Sequence, residues 1–427
     1  MIEKEQLKRE IGLWGLIANS VNIIIGAGIF ILPVLVAERL GTGSIWAYLL
    51  CGVLMILIMM CFAEVGSRIT ITGGAYTYIE TAFGRFAGFL TANIFIFGAG
   101  ITANAAVANG LADTLSYFFP VFKDHGFRVL FFAVIFGGLA YFNIRGIKNA
   151  VAIVKFNTVA KLIPLFMIIL AGWFFIPQNG IKFTAPGGSA DIGEISLILL
   201  FAFVGAETAL NVSGEIKNPS KTIPRGIMAS IFIVVVLYIL IQVVVQAILG
   251  SSITLHKDAP LAGTGRIMFG AAGALIVIIG ATFSMFGNIS GMVLNMPRIL
   301  YAAARDTVIP IPALARIHKK FMTPHISIVI YAMLGFIFAS IGEFRQLAML
   351  SSASYMIIYL GVVLSVIKFN AGKVKSIWKS YVIPGASTIV ILWVLSNLPV
   401  NELTGMVVFI AILSVLYFLI KILRKKN

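Results

Sequence analysis

Two charged side chains lie within stretches of sequence that are otherwise apolar. Lys161 occurs in the segment VAKLIPLF and Glu207 in the segment VGAETALN. An ionised group near the centre of a bilayer costs about 2.5–3.5 kcal/mol on insertion scales, so such residues generally mark the path of an ion, a proton or a polar ligand. Alternatively, Lys161 snorkels toward the cytoplasm and Glu207 only bridges the ends of an interrupted helix.

Two apolar blocks also contain glycines near their middle, where a helix in lipid benefits least from them. The first reads VNIIIGAGIFILP and contains Gly26 and Gly28, and the second reads LLFAFVGAETALNVSGE and contains Gly205. An unwound turn is tolerated in the membrane where it lines a cavity. Because free N–H groups attract an anion and free carbonyls a cation, the two breaks together would suit a zwitterion. Alternatively, the glycines only allow close helix packing.

Apolar blocks long enough to cross a bilayer recur along the whole chain. It has 427 residues, 11% of them charged, and a mean hydropathy of +1.02, whereas soluble domains carry about 25% charged residues. Blocks of about 20 apolar residues span the hydrocarbon core and must be helical there. The sequence predicts an all-α integral membrane protein of about twelve spans, near residues 11–36, 44–66, 86–112, 127–144, 151–176, 191–214, 227–250, 266–292, 325–342, 346–368, 380–398 and 403–420.

The glycine-containing breaks fall in spans one and six, at corresponding places in two sets of five spans. This pattern indicates a five-plus-five inverted-repeat transporter core with its site near the bilayer midplane. We divide the chain into a cytoplasmic N-terminal segment at 1–10, the transport core at 11–370, and two peripheral helices with a cytoplasmic tail at 371–427.

The net charge of +16 reflects membrane orientation rather than a nucleic-acid partner. Most of the 32 Lys and Arg residues fall in the predicted cytoplasmic segments when the N-terminus is placed inside. The positive-inside rule therefore predicts a multi-pass protein of the cytoplasmic (inner) membrane with both termini in the cytoplasm.

A membrane-embedded enzyme and a passive channel are the competing classes. The sequence contains no HExxH, GxSxG or GxxxxGK[ST] motif. Its four histidines lack metal-ligand spacing, so we expect no metal, cofactor or catalytic residue. A channel needs a continuous polar pore, whereas the polar groups here concentrate at the two breaks.

Four motifs, in order, resemble the amino acid, polyamine and organocation (APC) superfamily of transporters. They are IIGAGIF in span one, GGAYTYIETAFGRFAGF at 73–89, FAFVGAETALNVSGEIKNPSKTIPRGI at 201–227 and RILYAAARDTVIPIPALARIHKKFMTP at 298–324. The resemblance implies a secondary transporter of amino acids that works by alternating access, independently of sodium, by proton symport or by exchange. The alternative within this class is an antiporter of cationic amino acids or polyamines. The expected partners are the amino acid, the lipid bilayer and protons, for a monomer or a homodimer.

The resemblance also implies a substrate site built from the two breaks. Main-chain N–H groups of span one would hold the carboxylate of the substrate, and main-chain carbonyls of both breaks would accept from its ammonium group. Phe201 would close over the substrate as an aromatic gate, although it is also one of 33 phenylalanines. The residues assigned to this site are Ile24, Gly26, Ala27, Gly28, Phe201, Ala202, Val204 and Gly205.

Three further polar residues complete the expected site. Asn104 of span three would contact the substrate or make a structural hydrogen bond between helices, and Asn109 competes for the role. Lys161 would take the place of a sodium ion between spans one, five and eight, and donate to a freed carbonyl of span one and to Ser284 or Thr282. Together with Lys161, Glu207 would serve coupling, through protonation or by receiving a positive group of the substrate.

Overall fold

The computed structural model describes residues 11–69, 74–145, 150–177, 189–207, 210, 216–305, 308–309, 311–371 and 376–426. Within these ranges it does not describe the side chains of 150–159, 189–191, 251 and 423–426. The predicted N-terminal segment 1–10 and most of the second half of span six therefore lie outside the described residues.

The described residues are almost entirely helical. Among them, the only β contact is an isolated bridge between Ile11 and Ile216. In chain order, the helices are α1 Leu13–Ile24, α2 Gly28–Leu40, α3 Ser44–Arg68, α4 Gly74–Phe83, α5 Arg85–Asn93, α6 Thr102–Ser116, α7 His125–Arg145, α8 Ala150–Gly172, α9 Ser189–Leu200, α10 Pro219–Leu249, α11 Pro260–Arg305, α12 His325–Ile341, α13 Phe344–Asn370, α14 Ile383–Ser396 and α15 Val400–Lys426.

These helices overlap all twelve predicted spans. Eight helical segments of the described chain are long and apolar enough to cross a membrane, and the shorter apolar helices include α1 and α12. The prediction of an all-α membrane protein is confirmed, while the number of complete crossings stays a prediction.

Span one is interrupted where the sequence predicts it. Helix α1 ends at Ile24, Ile25 leaves the helical region with ψ 88°, and α2 begins at Gly28. The Gly26 N–H donates to the carbonyl of Ile24 at 2.8 Å, instead of to Asn22 as in a continuous helix. The break therefore frees main-chain groups in the interior of the protein.

Span six loses its regular helix after Leu200. Phe201, Ala202 and Phe203 donate three residues back along the chain, which marks a tightened turn. Gly205 then adopts φ +117°, a conformation that L side chains rarely adopt and that glycine allows. The predicted interruption at Gly205 is confirmed.

Helix α11 differs most from its predicted bounds of 266–292. It is kinked at Phe269 and Gly270, where the backbone is non-helical, and it continues to Arg305. The polar end of this helix, RILYAAAR, reads from composition as a loop, yet its alanines and leucine favour a helix. Hydropathy fixes the apolar part of a span but not where the helix ends.

Two local elements of the first repeat are not evident from periodicity. The segment between spans two and three contains the separate helix α4. Residues Ile94–Ile101, between α5 and α6, form a π-helix, an element that often occurs at functional sites. Both belong to the polypeptide that leads into span three.

The site elements lie in the interior of the bundle, and the last helices lie at its edge. Helix α10 packs between α3 and α1, and α11 packs against α8 and α6. By contrast, α15 exposes much of its apolar surface, including Val407, Leu416 and Phe418, as expected of a helix that faces lipid. The division of the chain at 370 stays a prediction.

Candidate functional site

The two broken helices cross at their breaks with almost no space between them. A Cβ added to Gly28 would lie 2.6 Å from the Cβ of Ala202 and 2.7 Å from its Cα. On the other side of the crossing, a Cβ on Gly205 would lie 3.1 Å from a methyl carbon of Ile23. Glycine at these positions therefore allows the two interrupted backbones to touch.

The span-one break presents main-chain donors to the interior. Ala27 is the N-cap of α2 and makes no side-chain capping hydrogen bond. The N–H groups of Ala27 and Gly28 belong to the first turn, where a helix has no internal acceptors, and they lie at its positive end. The Gly26 N–H differs from expectation because it already donates to Ile24. The donors that the geometry offers to an anion are thus those of Ala27 and Gly28.

The span-six break presents main-chain acceptors. Because α9 ends at Leu200, the carbonyls that follow lie at the negative end of a half-helix. The carbonyl of Ala202 accepts from the hydroxyl of Tyr238 at 3.0 Å, and the same hydroxyl lies 3.4 Å from the carbonyl of Ile24. Since a phenol has one proton, the shorter contact is the better hydrogen bond. Phe201 and Val204 lie in the same turn, as expected.

Tyr238 is a site residue that the sequence analysis missed. It lies on α10, is fully buried, and its ring packs 5.1 Å from that of Phe203. Its hydroxyl links both breaks, although no charge or glycine marks its position in the sequence. The sequence feature that could have indicated Tyr238 is a tyrosine within an apolar span, because a buried phenolic hydroxyl usually has a hydrogen-bond partner.

Lys161 reaches from α8 to the end of α1. Its Nζ lies 2.5 Å from the carbonyl oxygen of Asn22 and 2.8 Å from that of Ile25. Its side chain is buried, with 4% exposed, so it does not snorkel to the membrane surface. Both carbonyls are freed by the break, and the C-terminal end of α1 favours a cation.

Ser284 of α11 completes this junction of three helices. Its Oγ lies 3.4 Å from the carbonyl oxygen of Ile25 and 3.3 Å from that of Gly26. The Oγ of Thr282 is buried and has no hydrogen-bond partner. Of the two hydroxyls considered beside Lys161, Ser284 is the one that shares its carbonyl.

Glu207 bridges the span-six break and α13. Its Oε2 accepts from the hydroxyl of Tyr359 at 2.5 Å and from the N–H of Gly205 at 3.1 Å. Its Oε1 has no hydrogen-bond partner among the described residues, and the residue is 2% exposed. This carboxyl is held at the break, which fits the bridging alternative and leaves one oxygen available for a proton or a ligand.

Phe201 lies at the edge of the site rather than in contact with lipid. It is 7% exposed, and its ring meets that of Phe344 edge-on, with 5.7 Å between centroids and an interplanar angle of 87°. Phe344 is the first residue of α13. An aromatic pair between span six and α13 can separate when these helices move, as a gate requires.

The two candidate asparagines of α6 have different environments. Asn109 donates to the carbonyls of Ala339 and Ala105 and accepts from Arg128 at 2.8 Å, so it ties helices together. Asn104 is fully buried beside the hydroxyl of Tyr331, and among the described residues neither its Oδ1 nor its Nδ2 makes a hydrogen bond of good geometry. An unpaired buried amide is costly, so Asn104 is the better candidate for a ligand contact.

The described residues contain no group of three histidine, cysteine, aspartate or glutamate side chains that could hold a metal ion. What the site offers instead is a pair of opposed half-helix ends, one rich in N–H groups and the other in carbonyls. Such a site can bind a small molecule that carries an anionic and a cationic group close together.

Comparison with known proteins decides the family. The model of the amino acid permease family matches residues 11–419. The chain belongs to this family. It is therefore a multi-pass membrane protein that transports amino acids, and it is a permease rather than an enzyme.

Individual relatives agree with this assignment. The chain is 32% identical over 371 residues to the serine/threonine exchanger SteT of Bacillus subtilis, covering 84% of this chain and 82% of the relative. It is 23% identical over 453 residues to the branched-chain amino acid permease BcaP of the same organism, covering 97% and 94%. The human large neutral amino acids transporter small subunit 2 is 30% identical over 336 residues, covering 74% of this chain and 62% of the relative.

Proposed function

We propose that the protein exchanges neutral amino acids across the cytoplasmic membrane without sodium. The observation that carries this proposal is Lys161, whose Nζ lies 2.5 and 2.8 Å from two carbonyls freed at the span-one break. An ammonium held there supplies the positive charge that a sodium ion would otherwise supply, and it needs no ion gradient. Proton-coupled symport is the second candidate, because Glu207 leaves one buried carboxyl oxygen unpaired beside the other break.

In this proposal, main-chain groups bind the charged ends of the substrate. The N–H groups of Ala27 and Gly28 hold the carboxylate, since an anion is stabilised at a helix N-terminus. The carbonyls of Ile24, Phe201 and Val204 accept from the ammonium group. Gly26, Ala202 and Gly205 keep the backbones close enough to form the pocket, Phe201 closes it, and Asn104 lines it.

Two observations favour neutral over cationic substrates. The relatives are named for serine and threonine, for branched-chain amino acids and for large neutral amino acids. In addition, the hydroxyl of Tyr359 and the N–H of Gly205 already donate to Oε2 of Glu207, so this carboxylate has only Oε1 left to receive a cationic side chain. The antiporter of cationic amino acids or polyamines is therefore the weaker alternative.

The proposed orientation follows from the positive-inside rule. Both termini face the cytoplasm, since most Lys and Arg residues then lie on that side. The transported unit is a monomer or one protomer of a homodimer, because each chain carries both breaks.

Uptake into proteoliposomes tests the proposal directly. Purified protein is reconstituted with or without unlabelled serine inside, and uptake of labelled serine, threonine, leucine, arginine and putrescine is measured. We expect saturable uptake of the neutral amino acids that is accelerated by internal serine and is the same in sodium and potassium buffers.

Four outcomes would contradict it. Uptake that requires sodium would remove the role given to Lys161, and uptake of arginine or putrescine alone would favour the cationic alternative. Uptake driven by an imposed pH gradient and indifferent to internal substrate would replace exchange by proton symport. A flux that internal substrate does not accelerate and that does not saturate would indicate a channel.

A further inference from the structure

Asn288 of α11 faces the break in span one, although the sequence analysis did not single it out. Its Nδ2 lies 3.2 Å and its Cγ 3.7 Å from the position that a Cβ on Gly26 would occupy. It follows Ser284 by four residues, and residues spaced by four lie on the same face of a helix. Since Ser284 contacts the carbonyls of Ile25 and Gly26, that face of α11 is turned toward the site.

The amide of Asn288 has no hydrogen-bond partner among the residues that the structure describes. Within the described chain it makes no hydrogen bond, whereas Ser284 one turn earlier makes two contacts with the break. It is partly exposed, and Gly26 beside it has no side chain to occupy the space between them. A polar side chain at this depth is costly unless it is paired, so a ligand group is the natural partner.

The substrate group that would pair with Asn288 follows from the groups that are not already bound at the breaks. In the proposed function, main-chain N–H groups and carbonyls of the two breaks take up the carboxylate and the ammonium. We propose that Asn288 determines specificity by hydrogen-bonding a hydroxyl on the substrate side chain, so that the site prefers small hydroxyl amino acids. This inference rests on the proposed function and narrows its substrate class.

The expected preference for a hydroxyl comes from the free-energy cost of leaving a polar group of the protein unpaired. A site built to hydrogen-bond a hydroxyl rejects the analogue that lacks it, because the protein group is then left unpaired. Threonine and valine have nearly the same shape, so the pair isolates the hydroxyl. For the unaltered protein we expect kcat/KM for threonine to exceed that for valine by about tenfold or more, which corresponds to one hydrogen bond.

The substitution Asn288→Leu tests the assignment. It retains the approximate volume of the side chain and removes its hydrogen-bonding groups, so the threonine-to-valine ratio of kcat/KM should fall by about tenfold. Asn295→Leu is the matched control, because Asn295 lies on the same helix and is exposed. That variant should retain the ratio of the unaltered protein.

The outcomes separate this inference from the proposed function. A fall in the ratio that comes from weaker threonine transport, with valine transport retained, supports the inference. An equal loss for threonine and valine would instead place Asn288 at the carboxylate or in a structural role, and overturns it. If Asn288→Leu does not fold, the unaltered protein is used instead, and threonine and valine are compared as competitors of serine binding. Equal inhibition by threonine and valine would overturn the inference. Absence of amino acid uptake by the unaltered protein would refute the proposed function itself.

Discussion

Lys161 illustrates how a break in one helix creates a place for a charge from another. A continuous span one would engage the carbonyls of Asn22 and Ile25 with the N–H groups four residues later. The break removes these intrahelical hydrogen bonds, and Nζ of Lys161 lies 2.5 and 2.8 Å from the two oxygens. Because two carbonyls and a helix C-terminus surround the ammonium, its burial is compensated without a carboxylate.

Removing the ammonium group of Lys161 should weaken the contact between spans one and five. We expect Lys161→Met to lower the initial rate of serine exchange by at least about tenfold, because two buried carbonyls then lose the ammonium that donates to both of them. Lys368→Met is the control, since Lys368 lies over the ring of Phe83 at 4.9 Å on α13, away from the breaks. Exchange by Lys161→Met at the rate of the control, with equal amounts of protein in the membrane, would contradict the assignment.

The hydroxyl of Tyr238 gives a second prediction. Tyr238→Phe removes the donor to the carbonyl of Ala202 and should lower the exchange rate several-fold, since one neutral hydrogen bond contributes about 0.5–1.5 kcal/mol. Tyr48→Phe is a matched control, because the hydroxyl of Tyr48 is buried and has no hydrogen-bond partner. Equal rates for the two variants would show that the bridge between the breaks is dispensable.

The sequence itself revealed the charged residues of the site, whereas Ser284 was named only through the family resemblance and Tyr359 was not predicted. Lys161 and Glu207 stand out because each interrupts an apolar block. Tyr359 and Ser284 have no such signal, since hydroxyl residues are common in membrane helices and their partners lie far away in the chain. Hydrogen-bond partners depend on how the spans pack, which periodicity does not encode.

At the scale of elements, the central feature is the contact between α2 and the turn that follows α9. The two backbones touch at Gly28 and Ala202, so the ends of two half-helices share one small volume. A side chain at position 28 would separate them and enlarge the pocket by moving its donors away from its acceptors.

Gly28→Ala is therefore expected to abolish exchange or reduce it by more than about tenfold, since the added carbon would lie 2.6 Å from the Cβ of Ala202. Gly137→Ala on α7 is the control, because an added Cβ there meets nothing within 4 Å and alanine favours a helix by about 1 kcal/mol. Transport rates and melting temperatures of both variants should be measured. Normal transport by Gly28→Ala would mean that the helices do not meet as described.

An ion cluster joins α9 to its neighbours at the other end. Glu194 pairs with Arg39 of α2 at 3.4 Å and with Arg345 of α13. We expect Glu194→Gln to destabilise the protein by about 0.5–1 kcal/mol, the upper part of the range for exposed pairs, because one carboxylate serves two cations. Lys123→Gln breaks only the more exposed pair with Asp258 and should have a smaller effect. The melting temperatures of the two variants, measured at low and high salt, test whether Glu194→Gln has the larger effect.

The predicted elements agree with the structure where hydropathy determines them. Both breaks lie at the glycines that the sequence indicated, because an unwound turn favours a residue that tolerates conformations such as the φ of +117° at Gly205. The end of α11, the separate helix α4 and the π-helix before α6 were not predicted. Each depends on interfacial or packing contacts that leave no periodic pattern.

At the scale of the whole molecule, the family assignment agrees with the fold. The match to the amino acid permease family over residues 11–419 covers both broken spans and also the two last helices, for which the sequence analysis found no comparable motif. The overall charge and hydropathy predicted a membrane protein, and the ordered motifs predicted its family. The specificity could not be predicted in the same way, because in our proposal it depends on a single side chain, Asn288.

The proposed function depends on one property of the protein: the two breaks together bind both charges of a zwitterion. The most direct measurement is competition against labelled serine by serine methyl ester, which lacks the carboxylate, and by N-acetylserine, which lacks the ammonium. We predict that unlabelled serine competes fully, and that each analogue requires a concentration at least about 100-fold higher, since each leaves buried main-chain groups unpaired. Competition by either analogue at the same concentration as serine would contradict the account.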